Sequence, residues 1–253
     1  MNSLRRALLP AATMIAFVCL AQLAVVAGWT PRTVASPSQI AGGVMANWSV
    51  LWHHLEPTLL VAVTGYLLAL LVSLALAALV TIYRRIEPTV MTIGTVIDSV
   101  PMIALAPVLV IWMGLTLPMR ITITTVICFF PIFVSLVQGL KAPPTSAEEL
   151  FVNLAASPMQ RFRLLAFPYA LPYLFVGLKI SAPLAVLGAL IAEWTGAERG
   201  LGVFMLNAMF GLKVIELWSA VIVACAVSAS AFLLVSLFEL LSVTDRGQRE
   251  VGT

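Results

Sequence analysis

Six apolar runs, at about 7–28, 58–82, 89–114, 121–140, 170–193 and 217–241, organise this chain. A helix needs ~20 mostly apolar residues to cross the hydrocarbon core of a bilayer, and each run reaches that length. Backbone groups at that depth find no water, so a spanning segment must satisfy its own hydrogen bonds, as a helix does. The first run follows Arg5 and Arg6, as the apolar part of a signal peptide would. Its ~22 residues exceed the roughly 7–15 of a signal, so it reads as a retained span. The pattern predicts an all-α, polytopic membrane protein with six transmembrane helices, forming one transmembrane domain over residues 1–253.

Composition agrees and excludes a soluble domain. Of 253 residues, 61% are hydrophobic and 10% charged, against about 25% charged in a soluble globule. The three cysteines, Cys19, Cys128 and Cys225, sit apart in apolar runs and suggest neither a metal site nor a disulfide framework. Nothing in the charge pattern points to nucleic acid. Orientation follows from the basic residues. With the N-terminus in the cytoplasm, Arg5, Arg6, Arg84, Arg85, Lys141, Arg161, Arg163, Arg246 and Arg249 lie inside, and Arg32, Arg120, Arg199 and Lys213 outside. Nine against four obeys the positive-inside rule and places both termini in the cytoplasm.

Between the runs, two segments carry helix signals. In 31–55, Trp48 and Trp52 stand four apart and predict an interfacial helix with both rings at headgroup depth. The neighbouring His53 and His54 point in different directions and read as wet interfacial residues. In the hairpin at about 143–168, Ser146 with Glu149 forms a capping-box pattern, and Ala155 and Ala156 end that helix. Ser157, Pro158 and Gln160 repeat the pattern and start a second, amphipathic helix bearing Arg161, Phe162 and Arg163. Pro168 and Pro172 are expected to break it before the fifth run. Such a helix can lie on lipid, cap the bundle or dock into a partner's groove.

Charges within spans are costly and are functional candidates. Asp98 and Lys179 each lie about ten residues, or ~15 Å, from the cytoplasmic start of their runs. Equal depth and opposite sign suggest a pair, or two groups lining one pathway. Pro101 follows Asp98 and Ser99 and interrupts the third run, which reads either as a pathway or gate segment or as a packing kink. Glu193 ends the fifth run beside a glycine-rich stretch, GAERGLG, which reads either as a flexible outer gate or as an ordinary turn with a solvated glutamate.

The spacing Glu149, Leu150-Phe151, Ala155, Leu165, Phe167-Pro168 resembles the EAA loop of ABC importer permeases. Leu150 and Phe151 replace that motif's alanines and Ala155 its glycine. Alanine in the left-handed region costs ~1–2 kcal/mol, which predicts a turn built differently here. The resemblance extends over SPSQI, PMIALAPVLVIWMG at 101–114, Phe129-Phe130-Pro131 with Gly139-Leu140, and Ala192-Glu193-Trp194-Thr195-Gly196 with Gly200-Leu201-Gly202. Together these are similar to the branch that takes up nitrate, sulfonates and taurine, or pyrimidine precursors of thiamine. The resemblance implies a type I ABC importer permease fold in a bacterial inner membrane. It also implies a second copy of the chain, cytoplasmic ABC ATPase subunits and an extracytoplasmic solute-binding protein. The hairpin would be the coupling helix, with Glu149, Ala155, Ala156, Ser157, Pro158, Gln160, Arg161, Phe162, Arg163 and Pro168 at the ATPase. No cofactor is expected on the chain itself. It has no GxxxxGK[ST] phosphate loop, so ATP would be bound by the partner. The rival reading is a proton-coupled secondary transporter using Asp98 and Glu193.

Overall fold

The computed structural model describes residues 2–31 and 33–247, with side chains described between residues 12 and 242 except at positions 32 and 84. Arg32 and Arg249 of the charge tally lie outside the described residues. The described chain runs through α1 (Asn2–Val26), α2 (Pro37–Ala46), α3 (Trp48–Ile82), a 3-10 turn (Arg84–Ile86), α4 (Glu87–Ser99), α5 (Met102–Met113) and α6 (Leu117–Leu140). It continues through α7 (Thr145–Asn153), α8 (Pro158–Arg161), a π-helical segment (Phe162–Ala166), α9 (Phe167–Trp194), α10 (Leu201–Phe210) and α11 (Val214–Gly247).

Every predicted run has a helical counterpart. Trp48–Ile82, Leu117–Leu140, Pro158–Trp194 and Val214–Ser242 are each long and apolar enough to cross a bilayer. The third run is not one straight span: α4 and α5 meet at 97°. Pro101 explains this, because its ring holds Val100 in extended backbone (φ −77°, ψ 122°) and Pro101 itself remains extended before α5 starts. The first run is α1, whose described apolar part is Ala12–Val26. Among the described residues, then, four unbroken spans, and a fifth if the bent pair counts as one, stand where six spans were expected. The segment bearing Trp48 and Trp52 is not a separate interfacial helix. It is the first two turns of α3, with the rings 6.2 Å apart and half exposed.

The core lies between α3, α6 and α9. Phe133, Ile132, Cys128, Val61, Ala69, Ala77 and Ala189 are all fully buried there. Helices in lipid gain little from hydrophobic burial against one another, so close approach of small residues decides packing. A Cβ on Gly177 would stand 2.9 Å from the Ile132 Cα, and one on Gly139 2.8 Å from the Ala170 Cα. At those contacts α6 and α9 touch backbone to backbone. Polar side chains join the same helices: Ser181 donates to the Cys128 carbonyl (3.0 Å), Tyr66 to the Leu178 carbonyl (3.0 Å) and Ser73 to the Phe129 carbonyl (3.1 Å). Ser73 and Ala77 of α3 are fully buried in the same packing. At the periphery, α1 meets α2, where Gln22 both donates to the Ser38 hydroxyl and accepts the Ser38 N–H, each at 3.1 Å.

Candidate functional site

Three groups of sequence-predicted residues occupy three levels of the bundle. At one end the hairpin projects. Its first helix does not start with the expected Ser146–Glu149 box. Pro144 is the N-cap, with extended backbone and no side-chain cap, and α7 begins at Thr145 with Ser146 inside it. Pro143 and Pro144 in succession set the chain's approach before Ser146 can act. The end of α7 is closed by a full Schellman motif: the Ala155 N–H donates to the Val152 carbonyl (2.9 Å) and the Ala156 N–H to the Phe151 carbonyl (3.0 Å). This requires a left-handed residue, and Ala155 supplies it at φ 51°. The turn is therefore built on a positive φ despite the missing glycine, contrary to expectation.

The second box is as predicted. The Ser157 hydroxyl accepts the Gln160 N–H (3.3 Å), the Gln160 side-chain Oε1 accepts the Ser157 N–H (2.8 Å), and Pro158 opens the helix. No break follows at Pro168 or Pro172. The chain stays helical from Pro158 to Trp194. The π-helical turn Phe162–Ala166 absorbs the mismatch: its wider register lets the Phe167 N–H reach the Phe162 carbonyl just before Pro168, which has no N–H to give. Glu149, Ser157, Pro158, Gln160, Arg161 and Arg163 are exposed, while Phe162, Ala156 and Pro168 are partly covered. Between them Leu150, Leu154, Met159 and Leu164 are more than half exposed, so the surface mixes apolar area with both signs of charge. Behind it Lys141 pairs with Glu87, tying the ends of α6 and α4.

At mid-depth lies the bend. Asp98, Ser99 and Pro101 are all exposed, on α4 and at its junction with α5. The expected Asp98–Lys179 contact does not form within the chain. Lys179 donates instead to Glu239 of α11 at 2.6 Å, both side chains about a quarter exposed. Glu239 was missed by sequence reasoning. A lone acid in the apolar run FLLVSLFELL was the available signal, but the partner sixty residues away was not legible.

At the far end, Glu193 is neither solvated nor in a loose gate. It is fully buried. Thr58 donates to its Oε1 at 2.6 Å and the Gly202 N–H to its Oε2 at 2.7 Å. Thr58 also accepts the Leu201 N–H at 2.9 Å. His54 belongs to the same cluster and is not simply wet: its Nδ1 is 3.1 Å from the Gly200 carbonyl, and its ring packs on Phe204. Gly200 (φ 152°) and Gly202 allow the close approach, since a Cβ on Gly200 would stand 2.2 Å from the Glu193 carboxyl carbon. Beside this cluster a cleft of about 550 Å³ is lined by Glu56, Arg120, Glu198 and Arg199 among others.

Residues 69–244 match the family described as the inner membrane component of binding-protein-dependent transport systems. The chain is 36% identical over 180 residues to the formylaminopyrimidine transport permease ThiX of Halalkalibacterium halodurans, covering 71% of this chain and 72% of that one. It is 27% identical over 240 residues to the riboflavin transport system permease RibX of Chloroflexus aurantiacus (94% and 87% covered). It is 30% identical over 164 residues to the taurine transport system permease TauC of Escherichia coli (63% and 58% covered). These relationships displace the secondary-transporter reading. The chain belongs to the binding-protein-dependent transport family and is a multi-pass inner membrane permease of the ABC importer class, not an enzyme.

Proposed function

We propose that this permease imports a small, uncharged heteroaromatic solute of the pyrimidine-precursor type, with energy from a separate ATPase that docks on the hairpin. The exposed, mixed apolar and charged surface of the hairpin carries the ATPase reading. It is continuous by helix with α9, so force applied at Arg161 reaches the membrane core without crossing a loop. Glu149 and Arg161 supply charges of opposite sign for a partner's rim, and Leu154, Met159 and Leu164 supply the buried centre that a groove would take.

The solute class rests on Lys179. An anion crossing the membrane needs an unpaired cation at depth, and Glu239 neutralises this one. ThiX, named for formylaminopyrimidine transport, points the same way. Asp98, Ser99 and the bend at Pro101 form the pathway wall: a carboxylate exposed at mid-depth is too costly to face lipid and faces a wet cavity at the interface with a second copy. The hairpin end is cytoplasmic and the Glu193 end external.

Purification from native membranes in mild detergent tests this. The wild-type chain should carry an ATPase subunit, and Glu149→Lys with Arg161→Glu should lose it while keeping the permease folded. The cognate binding protein should take up a formylaminopyrimidine and not taurine. An assembly with no ATPase overturns the coupling reading, and a sulfonate-specific binding protein overturns the solute class.

A further inference from the structure

We infer that Glu193, together with Thr58, is a positioning residue that fastens α10 to α9, so that α10 moves with the coupling hairpin and not as an independent flap. This rests on the importer reading above. α10 has ten residues, too few to cross a bilayer. The first N–H groups of any helix lack intrahelical partners. Gly200, the N-cap here, has no side chain to supply one. The caps come from two other helices: Thr58 of α3 accepts the Leu201 N–H and Glu193 of α9 accepts the Gly202 N–H.

The seat is close as well as polar. A Cβ on Gly202 would stand 2.6 Å from the Leu190 carbonyl oxygen, so the first turn of α10 rests on the last turns of α9 with no side chain between. Both Glu193 oxygens are occupied, and the residue is closed to solvent. It therefore has no face for solute in this arrangement. Glutamine could keep both contacts, its oxygen accepting the Gly202 N–H and its amide donating to Thr58, whose hydroxyl can turn to the His54 carbonyl 3.1 Å away; leucine offers neither. Since α9 is continuous with α8, the attachment ends a single helical path from Pro158 to α10.

The test is hydrogen exchange on the full assembly, this chain with its ATPase subunits in nanodiscs, with and without ATP and vanadate. In the wild type, trapping should change exchange both in the hairpin (158–167) and in α10. In Glu193→Leu the first turn of α10 should exchange about fivefold faster, as loss of a helix cap implies. The nucleotide-dependent change should persist in the hairpin and vanish from α10, with ATP hydrolysis retained and uptake lost. Thr58→Val removes the second cap at nearly constant volume and should give the same split, and Thr58→Ser should restore wild-type behaviour. If α10 still responds to nucleotide in both Glu193→Leu and Thr58→Val, the inference is wrong. If the wild-type hairpin shows no response while ATPase is bound, the importer reading fails instead. A variant that does not assemble is read through the other substitution, whose chemistry is independent.

Discussion

At the residue scale, backbone conformation reports more than side-chain type. Among the described residues, three helices end in Schellman motifs. Gly28 supplies the left-handed residue after α1 (φ 72°), but Ala155 (φ 51°) and Leu212 (φ 53°) supply it after α7 and α10. A Cβ in that region costs ~1–2 kcal/mol, so Ala155 holds a strained turn at the centre of the hairpin. Replacing Ala155 with glycine should stabilise the native permease by about 1 kcal/mol, less the extra freedom glycine gives the unfolded chain, and leave ATPase binding intact. Thermal denaturation in detergent with co-purified ATPase as the second readout checks both parts. The second capping box was legible because Ser157, Pro158 and Gln160 act within one turn. The first was misread because Pro144, two residues before the pattern, set the helix start before Ser146 could. Short-range signals fail where two of them compete.

At the scale of elements, the apolar runs located the spans well, because the bilayer length requirement is severe. The bend at Pro101 was legible as an interruption but not as a turn of 97°. What the pattern could not show is which polar residues meet. Lys179 finds Glu239, and Glu193 finds Thr58 and Gly202, at separations of 60, 135 and nine residues. Such pairings are fixed by how α9 packs against α11, α3 and α10, and that is decided by glycine contacts spread over several helices. Lys179→Gln alone should lower stability by about 1 kcal/mol, since interhelical polar contacts in membranes average near that value and both side chains keep some solvent contact. Adding Glu239→Gln should recover most of the loss, whereas adding Asp98→Asn should recover none. A double-mutant cycle on the melting temperature distinguishes these outcomes.

At the scale of the molecule, both ends of the bundle carry exposed basic residues, so side must be assigned by labelling. Lys141, Arg161 and Arg163 gather at the hairpin end, and Arg120 and Arg199 line the cleft at the other. If the hairpin end is cytoplasmic, a membrane-impermeant maleimide added to intact spheroplasts should label Lys213→Cys and spare Met159→Cys, in a background without Cys19, Cys128 and Cys225. Disruption of the membrane should equalise the two; the reverse pattern would invert the topology. The continuous helix Pro158–Trp194 then has a mechanical consequence. At 1.5 Å per residue it is ~55 Å long. Its glycine contact with α6 at Gly177 falls near the midpoint, where backbones touch and rotation displaces little side-chain volume. A rigid rod rocking on such a fulcrum by about 10° carries its two tips about 5 Å in opposite directions, roughly the pitch of one helical turn. Drawing one side of the membrane closed spreads the other by the same stroke, so a see-saw of this kind keeps both sides from standing open together.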